Sequence, residues 1–428
     1  KAGRGSGNLI LTIMLRIGVR RKLHQSYGGK HFVFLFAFVV LFWTLFDSLM
    51  SYIAPLLISE HGFSNTAVGL ILASSSFVGA LFDFLACRFL PNTNFRRVFL
   101  FMFVICFAYP LLLWKAGGLF SFLFAMAIWG VYFDFYGFGV FDFVGRYTAK
   151  KDHATSFGLV QIFRSIGGVL APLIAGFIIA DAVGWKPFVV AWVFLFVAFV
   201  LFLRLSTFVR KQDALVPAEG KRAKNFFTEL HLWEKLGKKL LPFLFVTFFL
   251  FLVEALFWTL GPLYAETSGF GQLGGFFLAA FTLPSILVGW FVGSFVKRFG
   301  NRNVVFGSLL FGSLLLSLFA FIETPLFVMA LVFVASSFFG IALSSIGGVY
   351  ADYISGVPIV EGEIEALEDF SFNLGYVVGP LFGGLLSDIV SIPFAFSAVG
   401  ALGVILASIL FFITPRKVYL RVRAKDVE

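Results

Sequence analysis

The chain has 428 residues, of which 60% are hydrophobic and only 13% are charged, and its formal net charge is +10. About one quarter of the residues of a soluble domain are charged, so this composition excludes a soluble domain and predicts an integral membrane protein. Its two cysteines, Cys87 and Cys106, have no Cys/His cluster beside them, which excludes the usual thiolate metal sites. We therefore expect no metal, cofactor or nucleic-acid partner. No nucleotide-binding loop or nucleophile motif indicates an enzyme.

Twelve apolar windows are long enough to cross a bilayer, which takes about 20 residues of helix. They predict an all-α membrane protein with spans at 32–58, 65–85, 98–114, 119–144, 154–180, 187–205, 240–265, 273–296, 304–322, 325–350, 367–386 and 392–413. If both termini are cytoplasmic, the inner segments hold thirty Lys and Arg and the outer loops hold two. This excess predicts cytoplasmic termini, in a cell membrane of the bacterial inner-membrane type.

The polar segments between these windows divide the chain into predicted domains. They are a cytoplasmic leader 1–31, an N-terminal six-helix bundle 32–205, a cytoplasmic linker 206–239, a C-terminal six-helix bundle 240–414 and a cytoplasmic tail 415–428. Residues 9–19 are too few to span and predict a helix on the membrane surface or a disordered leader. Residues 226–241 predict an amphipathic helix lying on the anionic cytoplasmic leaflet.

The two predicted bundles repeat each other in sequence. Asp47 in span 1 matches Glu254 in span 7 at an offset of 207, and each acid precedes a proline by eight residues. Further matches at offsets of 206 to 208 are Gly62 with Gly269, Gly69 with Gly275, Arg96 with Arg302, Gly167 with Gly375, Pro172 with Pro380 and Gly176 with Gly384. Such constant offsets predict two six-helix halves in the same orientation, related by an axis along the membrane normal.

With these features the chain resembles the major facilitator superfamily over nearly its whole length. The loop 293–302 keeps Arg298 and Arg302 of the family signature G-x-x-x-D-R-x-G-R-R, with Lys297 in place of the acid. The corresponding loop between spans 2 and 3 has lost nearly all of this signature and retains Arg96. The resemblance implies a secondary transporter whose spans 1, 4, 7 and 10 line a central cavity.

Small residues and a proline on span 5 are similar to the antiporter signature of the family, and span 11 carries a better copy. The positions are Gly158, Gly167, Pro172 and Gly176 on span 5 and Gly375, Gly379 and Pro380 on span 11. Small residues let helices approach and proline permits a bend, so we predict packing and hinge positions here. Because a packing motif would also be duplicated, antiport, symport and uniport all stay open.

Four ionisable residues fall near mid-membrane: Asp47 in span 1, Asp134 in span 4, Arg164 in span 5 and Glu254 in span 7. Such groups are costly in a membrane unless hydrated or paired, which predicts a proton-coupling site or substrate cavity. The acids could instead be buried groups satisfied by neighbouring hydroxyls, and Asp134 with Arg164 could form a static ion pair. The predicted aromatic cavity walls, able to hold a cation, are Trp43, Trp129, Tyr132, Tyr136 and Trp258.

Charged residues near the inner ends of the spans are predicted to form a cytoplasmic gate. They are Asp83, Asp142, Arg146, Lys297, Arg298 and Arg302. The sequence thus predicts a monomeric transporter that moves a small organic solute by alternating access, with protons and membrane lipids as its other partners. Proton-coupled export of a cationic or amphipathic compound is the leading interpretation. The alternatives are proton-coupled import of a small anionic metabolite bound by Arg164, and a non-transporting receptor or lipid-handling protein with the same fold.

Overall fold

A computed structural model describes residues 6–89, 94–148, 152–179, 182–209, 226–356 and 361–414, and its regular structure is helical throughout these ranges. The helices are α1 (Ser6–Glu60), α2 (Asn65–Phe89), α3 (Phe95–Lys115), α4 (Leu119–Tyr147), α5 (His153–Ile178), α6 (Lys186–Val209), α7 (Phe226–Thr267), α8 (Gly274–Thr282), α9 (Pro284–Phe299), α10 (Asn301–Ser317), α11 (Pro325–Gly356), α12 (Glu361–Ile389) and α13 (Ile392–Ile413). Two short 3-10 turns precede α8 and follow α10.

Twelve stretches of these helices are long and apolar enough to cross a membrane, which confirms the predicted fold class. Helices α1 to α7 carry spans 1 to 7, α8 and α9 together carry span 8, and α10 to α13 carry spans 9 to 12. An even number of spans puts the start of span 1 and the end of span 12 on one side, together with the segment between α6 and α7. We call this side the terminal face and the other side the distal face.

Span 8 is divided into α8 and α9 at Pro284, which cannot donate a backbone hydrogen bond. The polar side chains beside the division bond to nearby carbonyls: Thr282 Oγ1 donates to Leu278 O at 3.1 Å, and Ser285 Oγ donates to Thr282 O at 2.7 Å. The two helices together form one span, Gly274–Phe299, which confirms the predicted span at 273–296.

The helices form two halves that meet along two seams. In the first half α1 packs on α5 and α6, and α4 packs on α2 and α3; in the second half α7 packs on α12, and α10 packs on α11 and α13. The seams are α2 against α12 and α5 against α8. A Cβ on Gly69 would lie 2.0 Å from Pro380 O, and one on Gly275 would lie 2.0 Å from Pro172 O. Both pairs follow the sequence repeat, so the duplication is also present in three dimensions.

The halves are tied together at the distal face. The carboxylate of Asp388, at the end of α12, accepts hydrogen bonds from Asn65 N at 3.0 Å, Thr66 N at 2.8 Å and Thr66 Oγ1 at 2.6 Å. It therefore caps the start of α2, whose first backbone N–H groups have no partner within the helix. Phe177 of α5 packs against Phe276 of α8 on the second seam, with ring centroids 6.2 Å apart. The distal face of the bundle is closed by these contacts.

Helix α7 begins earlier than the sequence predicted. It runs without interruption from Phe226 into span 7, so residues 226–241 are not a separate helix on the membrane surface. The apolar stripe of this segment packs on α12 instead: the Trp233 ring lies 6.4 Å from the Phe370 ring, and Leu236 and Leu240 are buried. The leader prediction for 9–19 falls inside α1, outside the described side chains, and the predicted tail 415–428 lies outside the described residues.

Candidate substrate and proton site

Asp47 lies on α1, near the middle of span 1, and is only 7% exposed. Its Oδ1 accepts hydrogen bonds from Trp129 Nε1 at 3.0 Å and from Tyr132 Oη at 2.9 Å. The two donors are three residues apart on α4 and so project from the same face of that helix. Bonds from such donors to a carboxylate are charge-assisted and strong, and they fix its orientation. No described residue donates a hydrogen bond to Oδ2, and this oxygen retains some solvent-accessible surface.

A layer of aromatic rings lies behind Asp47. Trp43 stacks on Tyr136 with ring centroids 3.9 Å apart, and Tyr109 of α3 contacts Tyr132 edge-on at 5.3 Å. These four rings are buried, so Trp43, Tyr132 and Tyr136 support the acid from behind and are not cavity walls as predicted. Of the predicted walls, Trp129 and Trp258 retain partial exposure. The sequence analysis missed Tyr109, since no charge or repeat marks it.

Arg164 lies on α5, which is pressed against α1 because Gly167 leaves room for Thr44. Its guanidinium carbon is 5.5 Å from the centre of the Phe133 ring and 5.7 Å from that of Tyr136, both in cation–π range. No carboxylate oxygen of a described residue lies within 4.0 Å of its nitrogens. The side chain is partly exposed, and its nitrogens are not sealed from solvent.

Glu254 lies on α7, in the other half, and interacts with Arg164 and with the Tyr376 hydroxyl of α12. Arg164 also interacts electrostatically with Asp47, so it is near one acid of its own half and one of the other half. Glu254 and Tyr376 are each partly exposed. Residues of both halves therefore meet around Arg164, where the sequence predicts the substrate cavity. Nothing in the sequence marked Tyr376, which lies in a distant span.

The structure does not bring Asp134 to Arg164, so the predicted static pair is wrong here. Asp134 lies two residues from both Tyr132 and Tyr136 on α4, which is a rotation of about 200° around the helix axis. It therefore faces α2, where a Cβ on Gly79 would lie 3.0 Å from its Oδ2. Its charged neighbour is Asp83, and Oδ2 is buried without a hydrogen-bond partner among the described residues.

Three predicted gate residues connect helices of their own half. Asp142 pairs with Arg146 at 2.5 Å and accepts a hydrogen bond from Phe95 N at 2.6 Å, which caps α3. Arg302 donates to the carbonyls of Phe411 and Thr414 and so caps the end of α13. These contacts hold each bundle together, and a gating role for the three residues stays a prediction.

The remaining gate candidates occupy different surroundings. Lys297 and Arg298 are exposed at the end of α9. Asp83, at the terminal-face end of α2, interacts with Asp369 of α12, so two acids face each other across that seam. A gating role for these three residues stays a prediction.

The predicted packing residues differ in what they contact. Gly375 and Gly379 lie against the α7 backbone, at 2.7 Å from Phe248 O and 2.6 Å from Leu252 O for an added Cβ. Pro172 and Pro380 present their carbonyls to the seam glycines of the other half, and Gly176 is buried. Gly158 is exposed, and a Cβ there would meet nothing within 4 Å, so its predicted packing role is wrong in this structure.

A family model of the Major Facilitator Superfamily matches residues 33–358, and the chain therefore belongs to this superfamily. The fold is similar to that of the nucleoside transporter NupG, with a TM-score of 0.65, 15% identity, and coverage of 89% of this chain and 99% of NupG. It is also similar to a bacterial homologue of the human lysosomal transporter Spinster in an inward-facing, unoccupied conformation, with a TM-score of 0.70, 13% identity, and coverage of 90% and 96%.

FucP in an outward conformation is a third similar structure, with a TM-score of 0.60, 14% identity, and coverage of 90% of this chain and 99% of FucP. At these identities the likeness shows the fold alone. No protein with a curated description matches the sequence. Family and fold together identify the chain as a multi-pass membrane transporter.

Proposed function

We propose that the protein is a proton-coupled secondary transporter, a monomer in a bacterial-type inner membrane, that exports a cationic or amphipathic organic solute. The observation that carries the proposal is the pair of membrane-embedded acids, Asp47 and Glu254, one on each half, which both interact electrostatically with Arg164. Neither acid has an ion-pair partner within 4.0 Å among the described residues. An acid kept in this environment without an ion-pair partner supports a functional role, since ionisable residues inside membrane spans commonly mark substrate or proton pathways.

Each acid has a distinct role in the proposal. Asp47 is held by Trp129 and Tyr132 of α4, and α1 packs closely on α5 of the same half, which suits a fixed counter-charge for a cationic group. Glu254 belongs to the half that moves relative to Arg164 when the halves rock. Its surroundings therefore change during the cycle, which suits the group that takes up and releases the proton. We assign the terminal face to the cytoplasm from the positive-inside excess.

The test begins with a thermal-shift screen of organic amines on purified protein at two pH values, because a ligand that binds only the folded state stabilises it. The strongest binder is then loaded into proteoliposomes with an imposed pH gradient. Glu254→Gln should fold normally and lose gradient-driven flux while keeping exchange without a gradient. Glu323→Gln, in the exposed turn between α10 and α11, is the matched control. Full gradient-driven flux in Glu254→Gln would exclude Glu254 as the coupling group.

The second candidate is a symporter that imports a small anionic metabolite. The guanidinium of Arg164 favours it, because a partly exposed Arg inside a membrane span without a carboxylate partner among the described residues is a ready anion site. The same proteoliposomes separate the candidates: inward flux of a carboxylate compound together with protons supports the symporter, and amine efflux against protons supports the exporter.

A further inference from the structure

We infer that the substrate is zwitterionic: its cationic group binds Asp47 Oδ2, and its anionic group, a carboxylate or phosphate, binds the guanidinium of Arg164. The inference deepens the proposed function and rests on it, since it concerns the same cavity. It replaces the choice between a cation and an anion with a ligand that has both charges.

The first support is that both protein charges have unused binding capacity toward the cavity. On Asp47, Oδ1 takes both donors of α4, while Oδ2 has no donor among the described residues and is not sealed. The guanidinium of Arg164 has five donors in a planar fork, a geometry that matches a carboxylate or a phosphate. The Phe133 and Tyr136 rings lie beside it at cation–π distance, and no carboxylate of a described residue lies within 4.0 Å of its nitrogens.

The second support is that these two charges have a fixed separation. Asp47 and Arg164 lie on α1 and α5, which pack closely through Gly167 and belong to the same half. Rocking of one half against the other does not change their spacing. A ligand of matching length can therefore hold both contacts through the whole transport cycle. Recognition at two fixed points also favours an amphoteric ligand over one that carries a single charge.

The third support is the charge balance of the closed cavity. With both acids ionised, Asp47, Glu254 and Arg164 together have a net charge of one negative unit; once Glu254 takes up a proton, they are neutral. A net charge in the low-dielectric centre of the bundle is costly, so the protonated cavity favours a ligand without net charge. A zwitterion satisfies this condition and also pairs both protein charges.

The test uses nine probes in three matched sets: tryptamine, indole-3-propionate and tryptophan; phenethylamine, 3-phenylpropionate and phenylalanine; hexylamine, hexanoate and 6-aminohexanoate. Equilibrium binding to the full-length protein in nanodiscs is measured without a gradient. In at least one set the zwitterion should bind at least tenfold more tightly than the amine and the carboxylate. Arg164→Gln should reduce its affinity to that of the amine, and Asp47→Asn to that of the carboxylate. Lys115→Gln, exposed at the end of α3, should change nothing.

Arg164→Lys keeps the positive charge and loses the planar fork of donors, so zwitterion binding should weaken while the zwitterion is still preferred over the amine and the carboxylate. This variant supplies the test if Arg164→Gln folds poorly. The inference is overturned if in every set the amine or the carboxylate binds as tightly as its zwitterion, if none of the nine probes binds, or if Arg164→Gln retains the preference. It is also overturned if the double variant of Asp47→Asn and Arg164→Gln binds as the wild type does. Glu254→Gln should keep the charge preference and lose gradient coupling. If gradient coupling is present without the charge preference, the zwitterion inference has failed. If the charge preference is present and gradient coupling does not depend on Glu254, the proposed function has failed.

Discussion

The seam glycines allow a direct test of the closed distal face. In Gly69→Ala the new Cβ would lie 2.0 Å from Pro380 O, whereas ordinary contact begins at 3.4 Å, so the two helices must separate by about 1.4 Å. Gly275→Ala makes the same clash with Pro172 O on the other seam. Overpacking of this kind costs about 1–3 kcal/mol, and it destabilises the conformation in which the seam is closed. Each variant should therefore shift the equilibrium away from this conformation by about 5- to 150-fold.

The control is Gly168→Ala on α5, where an added Cβ meets nothing within 4 Å. It reproduces the gain in helix propensity of about 1 kcal/mol from Gly to Ala without a clash. Comparison of a seam variant with this control therefore isolates the effect of the seam.

Pulsed electron spin resonance between paired labels measures the shift. Spin labels at Lys115→Cys and Glu323→Cys report the distal face, because both positions are exposed there and belong to different halves. Labels at Arg97→Cys and Asn303→Cys report the terminal face. Cys87 and Cys106 are replaced by serine in all variants. Both seam variants should lengthen the distal distance and shorten the terminal one. If both seam variants give the same label distances as Gly168→Ala, the added Cβ does not open the distal seam and the explanation is refuted.

Three further predictions follow from the contacts of single side chains. Asp388→Ala removes the cap on α2, a loss of about 0.5–2 kcal/mol, and should lengthen the distal label distance in a larger fraction of molecules; an unchanged distribution would show that the contact closes nothing. Trp129→Phe removes one donor from the Asp47 carboxylate and should lower thermal stability by about 1.5–3 kcal/mol, with Trp258→Phe as a control; equal melting temperatures would contradict the hydrogen bond. Arg164→Ala and Asp134→Ala should have additive effects on melting temperature, because the two side chains share no contact, and recovery of stability in the double variant would restore the static pair.

Much of this protein could be predicted from its sequence because a membrane imposes simple rules. A span must be about 20 apolar residues long, so hydropathy alone predicted twelve spans, and the structure confirms them. A duplicated chain keeps its spacing, so constant offsets predicted the two halves. The glycine–proline contacts at the seams, Gly69 with Pro380 and Gly275 with Pro172, show the same duplication in space. Ionisable residues in membrane spans are costly, so their positions in the sequence were enough to mark Asp47, Arg164 and Glu254 as candidates.

Only the tertiary structure decided which charges and rings meet. Asp134 and Tyr132 are two residues apart, yet the helix turns them toward different neighbours, so Asp134 faces α2 and Tyr132 reaches Asp47. Tyr376 meets Glu254 because α12 packs on α7, more than a hundred residues away in sequence. Hydropathy gives the length and depth of a helix, but its rotation about its own axis and the choice of its neighbours are set by close packing between helices.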